Sequence, residues 1–310
     1  MKKAVLDIGS NTIRLLIANV EKHHQEYQKI HYHHRVARLG EGLQQTGNLS
    51  GAGMQRAMDV FQGAVDVCAS FEVSAESITA VATAAIREAK NGTDFVSQVR
   101  TATGLKIQVI AGDVEARLAL SGAQAVLTTS TSLNMLLFDI GGASTEFSRV
   151  RDGVLVDGFS EKLGVVRLTE LYLKHNPPLM SEYQSMKAHT IKHLKQIERL
   201  WGEDKFVPKH MVGTAGSVTT MAAIHLQMAE YDANKINNFC LSKADFYALR
   251  DALLAKTNQE RLAIPAVEQG REDVIVAGVA IVDALFEHWN FEEMITVDAG
   301  VLEGLLFWQP

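Results

Sequence analysis

Several things are scarce in this 310-residue chain. There are two cysteines and five prolines, and aromatic residues make up 7%. Cys68 and Cys240 lie far apart in apolar surroundings, so the expectation is two buried, reduced thiols and no disulfide framework. The lack of Pro-rich or low-complexity stretches excludes extended linkers and points to compact domains with short connections. Basic excess is missing as well: the formal net charge is −6, which disfavours a nucleic-acid partner because such binding rests on phosphate neutralisation. An anionic ligand in a locally basic cleft stays compatible with it. Long apolar runs are absent; the longest, Val274 to Val282, is too short to span a bilayer. Met1-Lys2-Lys3 has the basic flank of a signal peptide, but Asp7 interrupts the apolar run at once. The expectation is a soluble, cytoplasmic protein with no membrane partner.

What is present is ordinary globular material, 47% apolar and 21% charged, enough for roughly two domains of about 150 residues each. Two stretches match: VLDIGSNTIRLLIA at Val5 to Ala18 and LLFDIGGASTEFSRV at Leu136 to Val150. Each runs from apolar β-formers to Asp-Ile-Gly, through small hydroxyl and amide residues, and back to alternating positions. That pattern predicts a β-hairpin with an acid at the end of its first strand and a turn that exposes backbone N–H groups. Asp7 and Asp139 are 132 positions apart. Two related halves with facing loops are the simplest explanation, and a phosphate chain would suit a site between them.

The remaining periodicities agree. In the first half, strands are expected at Tyr27 to Ala37, Ile78 to Thr83 and Leu105 to Ile110, with helices at Ser50 to Ser70, Ala84 to Lys90, Asp94 to Thr101 and Asp113 to Gly122. The second half opens with strands at Leu136 to Phe138, Glu146 to Val150 and Val154 to Phe159. Helices follow at Leu163 to His175, ended by Pro177-Pro178, and at Ser181 to Trp201. A strand at His210 to Gly213 leads into a helix over Val218 to Met228, with further helices at Ala244 to Lys256 and Glu272 to Trp289. Glu293 to Val297 is the last strand and Val301 to Trp308 the terminal helix. The expected class is α/β, a duplication with a cleft between domains at 1–121 and 122–310. The terminal helix, about 300–310, has room to pack back onto the first domain.

Glu115 stands in the first turn of a helix that follows a strand, the edge where an α/β cleft opens. There a carboxylate can orient a water and accept its proton; it can equally complement the helix dipole. The sequence resembles the exopolyphosphatase and guanosine pentaphosphate phosphohydrolase family. The resemblance rests on DIGSNTIRLLI (Asp7 to Ile17), RLGEGL (Arg38 to Leu43), ATAAIREA (Ala82 to Ala89), IAGDVEARL (Ile110 to Leu118) and DIGGASTEF (Asp139 to Phe147). It continues through LGVVRLTE (Leu163 to Glu170), VGTAGSVTT (Val212 to Thr220), REDVIVAGVAI (Arg271 to Ile281) and VDAGVLEGLL (Val297 to Leu306).

The resemblance implies two ribonuclease H-like domains of the actin-like ATPase superfamily, and hydrolysis of the terminal phosphoanhydride of inorganic polyphosphate. It implies that Glu115 is the catalytic acid, and that Asp139, with Glu146, carries Mg²⁺. Asp7 orders water or metal in the other half, or serves as a structural hydrogen-bond acceptor. Arg87 falls where the family places a phosphate-binding arginine, although alone it reads as a surface helix residue. Ser10, Asn11 and Thr12, Gly141, Gly142, Ala143, Ser144 and Thr145, and Arg167 would hold phosphates. Gly213 to Ser217 is where related ATPases hold a nucleotide, or simply a strand-to-helix turn. A monovalent cation beside Mg²⁺ and a homodimer are further expectations.

Guanosine pentaphosphate is the rival substrate, since the same motifs serve both. A non-hydrolytic polyphosphate or nucleotide sensor belongs to another class, but loss of Glu115 or Asp139 would be its signature and both are present. The sequence departs from the family at Val114, where relatives often have Glu, at Ala143 in place of Gly, and at Leu302, where relatives often place Arg. It also shows no C-terminal His-Asp hydrolase-like segment, from which a weaker grip on long chains is expected. His23, His24, His31, His33 and His34 crowd one hairpin, but their spacing fits no closed zinc site, and a solvated strand is the expectation.

Overall fold

Val5-Leu6 and Leu136-Leu137-Phe138 are continuous apolar runs, and each becomes an interior strand of a sheet buried on both faces. Strands covered on both sides carry unbroken apolar sequence, whereas half-exposed ones alternate. The computed structural model describes residues 1–21, 26–202, 204, 206 and 208–308. It divides into one unit of Met1–Ala125 with Gly300–Pro310, and a second of Val126–Ala299.

The first unit has strands β1 (Lys2–Ile8), β2 (Thr12–Glu21), β3 (Glu26–Val36), β4 (Thr79–Ala82) and β5 (Ile107–Val109), in the order β3-β2-β1-β4-β5. β1, β2 and β3 pair antiparallel; β4 and β5 run parallel to β1. On one face Leu6, Ile8, Ile13, Leu15 and Ile17 pack with Phe61 and Phe95 of the helices Gly51–Ser70 and Gly92–Thr103. On the other, Val5, Leu16 and Ala18 meet Leu118, Ala119, Leu302 and Leu305 of the helices Gly112–Gln124 and Val301–Phe307. Strand alternation sends Asp7 to this second face. The two helices there touch backbone to backbone: a β-carbon on Gly304 would lie 2.2 Å from the Leu118 oxygen.

The second unit has β6 (Met135–Ile140), β7 (Thr145–Arg151), β8 (Val154–Glu161), β9 (His210–Thr214), β10 (Phe239–Ser242) and β11 (Glu293–Thr296). Read from its β8 edge, the order is β8-β7-β6-β9-β11-β10. This repeats the order of the first sheet with one strand added, and the directions also repeat, with β10 antiparallel at the edge. The expected duplication is therefore present in topology as well as in sequence. Phe138, Ile140 and Phe147 face a core built with the helices Met180–Leu200, Lys243–Leu254 and Ile275–Trp289. The last of these is buried over its whole run from Ile275 to Phe286, which explains why its apolar residues show no stripe. Asp283 within it is held by Lys187 (2.9 Å), Arg250 (3.2 Å) and the Tyr183 hydroxyl (2.6 Å), the pairing that a fully buried carboxylate requires.

Differences from expectation are local. The helix expected at Leu163 to His175 spans only Val165–Tyr172, because Leu163 and Gly164 are drawn into contact with the β6–β7 loop. β10 was not foreseen; four residues carry no period, and it forms through pairing with β11. Cys240 lies on that edge strand and is exposed, whereas Cys68 is buried as expected. Among the described residues no helix is long and apolar enough to cross a membrane.

Candidate active site

The two hairpin loops are closed alike. Gly9 N–H donates to Thr12 O (3.0 Å), and Gly141 N–H donates to Ser144 O (2.9 Å). In both units the chain leaving the third strand folds over the loop and binds its carbonyls. Gly40 N–H reaches Ser10 O (2.8 Å), and the Ala37 and Arg38 amides reach Asn11 O (2.9 Å each). Val165 N–H reaches Gly141 O (3.0 Å), and Val166 N–H reaches Gly142 O (2.9 Å). The overlying segments are alike too, Arg38-Leu39-Gly40 and Lys162-Leu163-Gly164. Gly164 is obligatory there, since a β-carbon would stand 2.1 Å from Gly142 O. These bonds engage carbonyl groups and leave the amides of Ser10, Asn11, Gly142 and Ala143 out. The Thr145 hydroxyl is committed to Leu163 O. Asn11 Oδ1 is buried and has no hydrogen-bond partner among the described residues, a state that a water or ligand ordinarily relieves.

The acids beside the loops are treated differently. Asp7 stands opposite Arg14, whose Nη2 and Nε donate to Oδ2 at 2.6 and 3.0 Å. Asp139 stands opposite Glu146. Both are buried, at 6% and 3% exposure, and Ser160 Oγ donates to Glu146 Oε1 (2.7 Å). At one cross-strand position, then, the first unit places a cation opposite its acid and the second places another acid. Arg14 was readable by counting across the hairpin; Ser160 was not, because its partnership depends on the β7–β8 register.

Glu115, 7% exposed, lies in the first turn of the helix Gly112–Gln124. Arg87, on the short helix Ala84–Glu88, directs Nη1 to Ile110 O (2.7 Å) and to Glu115 Oε2 (3.3 Å). The arginine is thus drawn inward to the carboxylate. Arg167 is buried, with Nε on Ala143 O (3.0 Å). Arg271, within the REDVIVAGVAI stretch, lays its guanidinium against Gly216 at the β9-to-helix turn and binds Glu268 (3.0 Å). That turn, Gly213 to Ser217, is the end of β9 and the start of the helix Ala215–His225.

His31 and His33 stack on β3 at 6.2 Å; burial lowers the pKa of His33, and Arg35, His31 and His34 lower it further. His23 and His24 lie outside the described residues. Among the described residues no group of three or more His, Cys, Asp or Glu could hold a metal ion.

A model described as the Ppx/GppA phosphatase family matches residues 16–309. The chain belongs to this family. Exopolyphosphatase 2 of Mycobacterium tuberculosis is 30% identical over 97% of this chain and 96% of its own length. The guanosine-5′-triphosphate,3′-diphosphate pyrophosphatase of Pseudoalteromonas translucida is 30% identical over 98% of this chain, which spans 58% of that protein. Among solved structures, the Ppx/GppA family member of Aquifex aeolicus has a TM-score of 0.80 at 28% identity, covering 99% of this chain and 96% of that one. As a Ppx/GppA protein the chain is a phosphoanhydride hydrolase with the actin-like, two-domain α/β fold that the motifs implied.

Proposed function

We propose that this Ppx/GppA protein is an exopolyphosphatase that uses Mg²⁺ to hydrolyse the terminal phosphoanhydride of inorganic polyphosphate and release orthophosphate. The observation that carries the reading is the contact between Arg87 and the buried Glu115. Arg87 makes both of its contacts through Nη1, which leaves Nε and Nη2 for phosphate oxygens. A phosphate held there lies beside the carboxylate that directs the water. The water oxygen bonds to the terminal phosphorus, the bond to the bridging oxygen breaks, and Glu115 takes the proton. The shortened chain departs on the bridging oxygen. Such transfer asks little covalent chemistry of a protein, so positioning and charge supply most of the rate.

The residues present fit Mg²⁺. Asp139 and Glu146 are adjacent hard oxygen donors, and the absence of a larger ligand cluster among the described residues suits an ion that keeps waters and shares phosphate oxygens. Bound there, Mg²⁺ would offset charge on the phosphates. Asp7, already paired with Arg14, acts in this reading as an anchor of its hairpin. The amides of Ser10, Asn11, Gly142 and Ala143, with the Ser144 hydroxyl, supply donors to phosphate oxygens.

Similarity to the guanosine pentaphosphate enzyme favours a second reading, removal of the 5′-phosphate of guanosine pentaphosphate by the same groups. Phosphate release from long polyphosphate, tripolyphosphate, guanosine pentaphosphate and ATP, each with Mg²⁺ and beside Glu115→Gln, tests both. Release from polyphosphate that collapses in the variant supports the first. Cleavage of the guanosine substrate alone replaces it with the second, and an unchanged rate in Glu115→Gln removes the catalytic assignment.

A further inference from the structure

The last two residues of β8, Ser160 and Glu161, point to opposite faces of their sheet. Ser160 stands across from Glu146 and donates to it, on the side of the proposed metal carboxylates. Glu161 stands across from Thr145, on the side where Phe147 and Phe159 pack into the core built with the helix Met180–Leu200. There it meets His193 of that helix, Nδ1 to Oε2 at 2.6 Å. A carboxylate only accepts, so the ring N–H donates. The two side chains are 20% and 17% exposed, a sheltered pair unlike the solvated ones that contribute little.

Glu161 is also where the strap over the second loop begins. Its carbonyl accepts from Leu163 N (2.7 Å), Leu163 O accepts the Thr145 hydroxyl, and the Val165 and Val166 amides then hold Gly141 O and Gly142 O. The helix Met180–Leu200 takes hold again beyond the strap: the hydroxyl of Tyr172, the last residue of the helix Val165–Tyr172, meets His189 Nδ1 at 2.9 Å. His189 and His193 are one turn apart, with ring centroids 4.9 Å apart. The hairpin turn does not fix this end of β8 by itself, because the β7–β8 register shifts between Arg149 and Val150 and such a shift interrupts the ladder.

We propose that His193 is a positioning residue for the hydrolysis: by holding Glu161 it keeps Ser160 on Glu146 and the strap on the Gly141–Thr145 loop. It thereby sets Mg²⁺ affinity and phosphate binding while touching neither ligand. Ser160 and Glu161 are adjacent on one strand, so a β8 end released from His193 carries Ser160 away from Glu146 as well. This inference rests on the metal role given above to Glu146 and the phosphate-binding role given to the loop.

The test separates the N–H donor from the ring. His193→Phe keeps the ring and removes the donor, whereas His193→Asn removes the ring and keeps an amide nitrogen on Cγ, where Nδ1 is attached. Mg²⁺ affinity is read from the rise in melting temperature as Mg²⁺ is titrated into the full chain, and KM from tripolyphosphate hydrolysis. In His193→Phe the Mg²⁺ dissociation constant and KM should each rise about fivefold, less than the roughly tenfold cost of losing a direct partner of a metal ligand. His193→Asn should stay near wild type, and Met186→Ala, a core change on the same helix, should lower the melting temperature without moving either constant. Glu161→Ala probes the contact from the strand; it should match His193→Phe, and the double variant should be no worse than either single one. Unmoved constants in His193→Phe and Glu161→Ala, a shift in His193→Asn or Met186→Ala as large as in His193→Phe, or full additivity in the double variant overturns the positioning role and leaves the proposed function standing. A wild-type melting temperature that does not respond to Mg²⁺ removes the metal reading and this inference together.

Discussion

Glu146 stands directly across the β6–β7 pair from Asp139, in the place where the first unit puts Arg14 across from Asp7. The duplication therefore contains its own control. Glu146→Arg should recreate the Asp–Arg pair in the second unit: the fold and melting temperature stay close to wild type, while phosphate release no longer responds to Mg²⁺. Glu146→Gln, which keeps one oxygen donor, should instead raise the Mg²⁺ concentration needed for half-activation by about tenfold or more, the order seen when a metal site loses one supporting group. Titrating activity against Mg²⁺ in the three proteins, with chelator as the zero point, distinguishes these outcomes. A Glu146→Arg protein with wild-type Mg²⁺ activation would contradict the metal assignment.

Arg87 and Glu115 are expected to separate in steady-state kinetics. Glu115→Gln keeps the size and a hydrogen bond but cannot accept the proton, so kcat should fall by about 10²–10⁴-fold with little change in KM. Arg87→Lys keeps the charge and loses the planar fork, so KM should rise as kcat falls. Initial rates of tripolyphosphate hydrolysis at saturating Mg²⁺ measure both. Equal effects on kcat alone from the two variants would mean that Arg87 holds Glu115 and not substrate.

The hairpins, the duplication and the acids at 7, 115 and 139 were legible because each is signalled within a few residues: Asp-Ile-Gly before a turn, or an acid in a first helical turn. Glu146 was legible for the same reason, lying on the returning strand. What stayed hidden depends on register or on chain far away. Ser160 supports Glu146 only through β8, and Leu163-Gly164 seats the loop only after the third strand has turned. Arg87 alone looks like a surface residue in sequence; its inward direction, like the burial of Arg167, is a tertiary fact. β10 shows the same limit for secondary structure, since four residues acquire strand geometry from the neighbour they pair with.

Gly164→Ala should damage the second loop specifically. The added carbon would meet Gly142 O at 2.1 Å and the Ala143 carbonyl carbon at 2.2 Å, both backbone atoms with no rotamer to escape into. Overpacking of this kind costs about 1–3 kcal/mol, and here the strain falls on the Gly141–Thr145 loop proposed to hold phosphate. The expected result is a lowered melting temperature together with a KM for tripolyphosphate raised well beyond that of an equally destabilised core variant such as Met186→Ala, distant from the loop in sequence. Thermal denaturation and initial rates on the same preparations make the comparison. A stability loss with unchanged KM would show that the loop repositions without harm.

The acid limb of the stability profile should depend on Glu182. Burial alone would raise its pKa, but hydrogen bonds from His175 and from the Leu179 and Lys174 amides outweigh this and hold it at about 2. The carboxylate closes the first turn of the helix Met180–Leu200, accepting from Leu179 N at 3.0 Å and Lys174 N at 2.9 Å. Because the folded pKa is depressed below the unfolded value of about 4.3, the stabilisation is complete above that value and drains away as pH falls toward 2. Glu182→Gln should therefore lose stability at pH 7, by about 1 kcal/mol on the scale of a helix N-terminal cap. It should then converge with wild type as pH is lowered from about 4.5 to 2.5. Urea midpoints across that range measure the convergence, and a constant gap between the two proteins would mean that the side chain contributes by packing and not by charge.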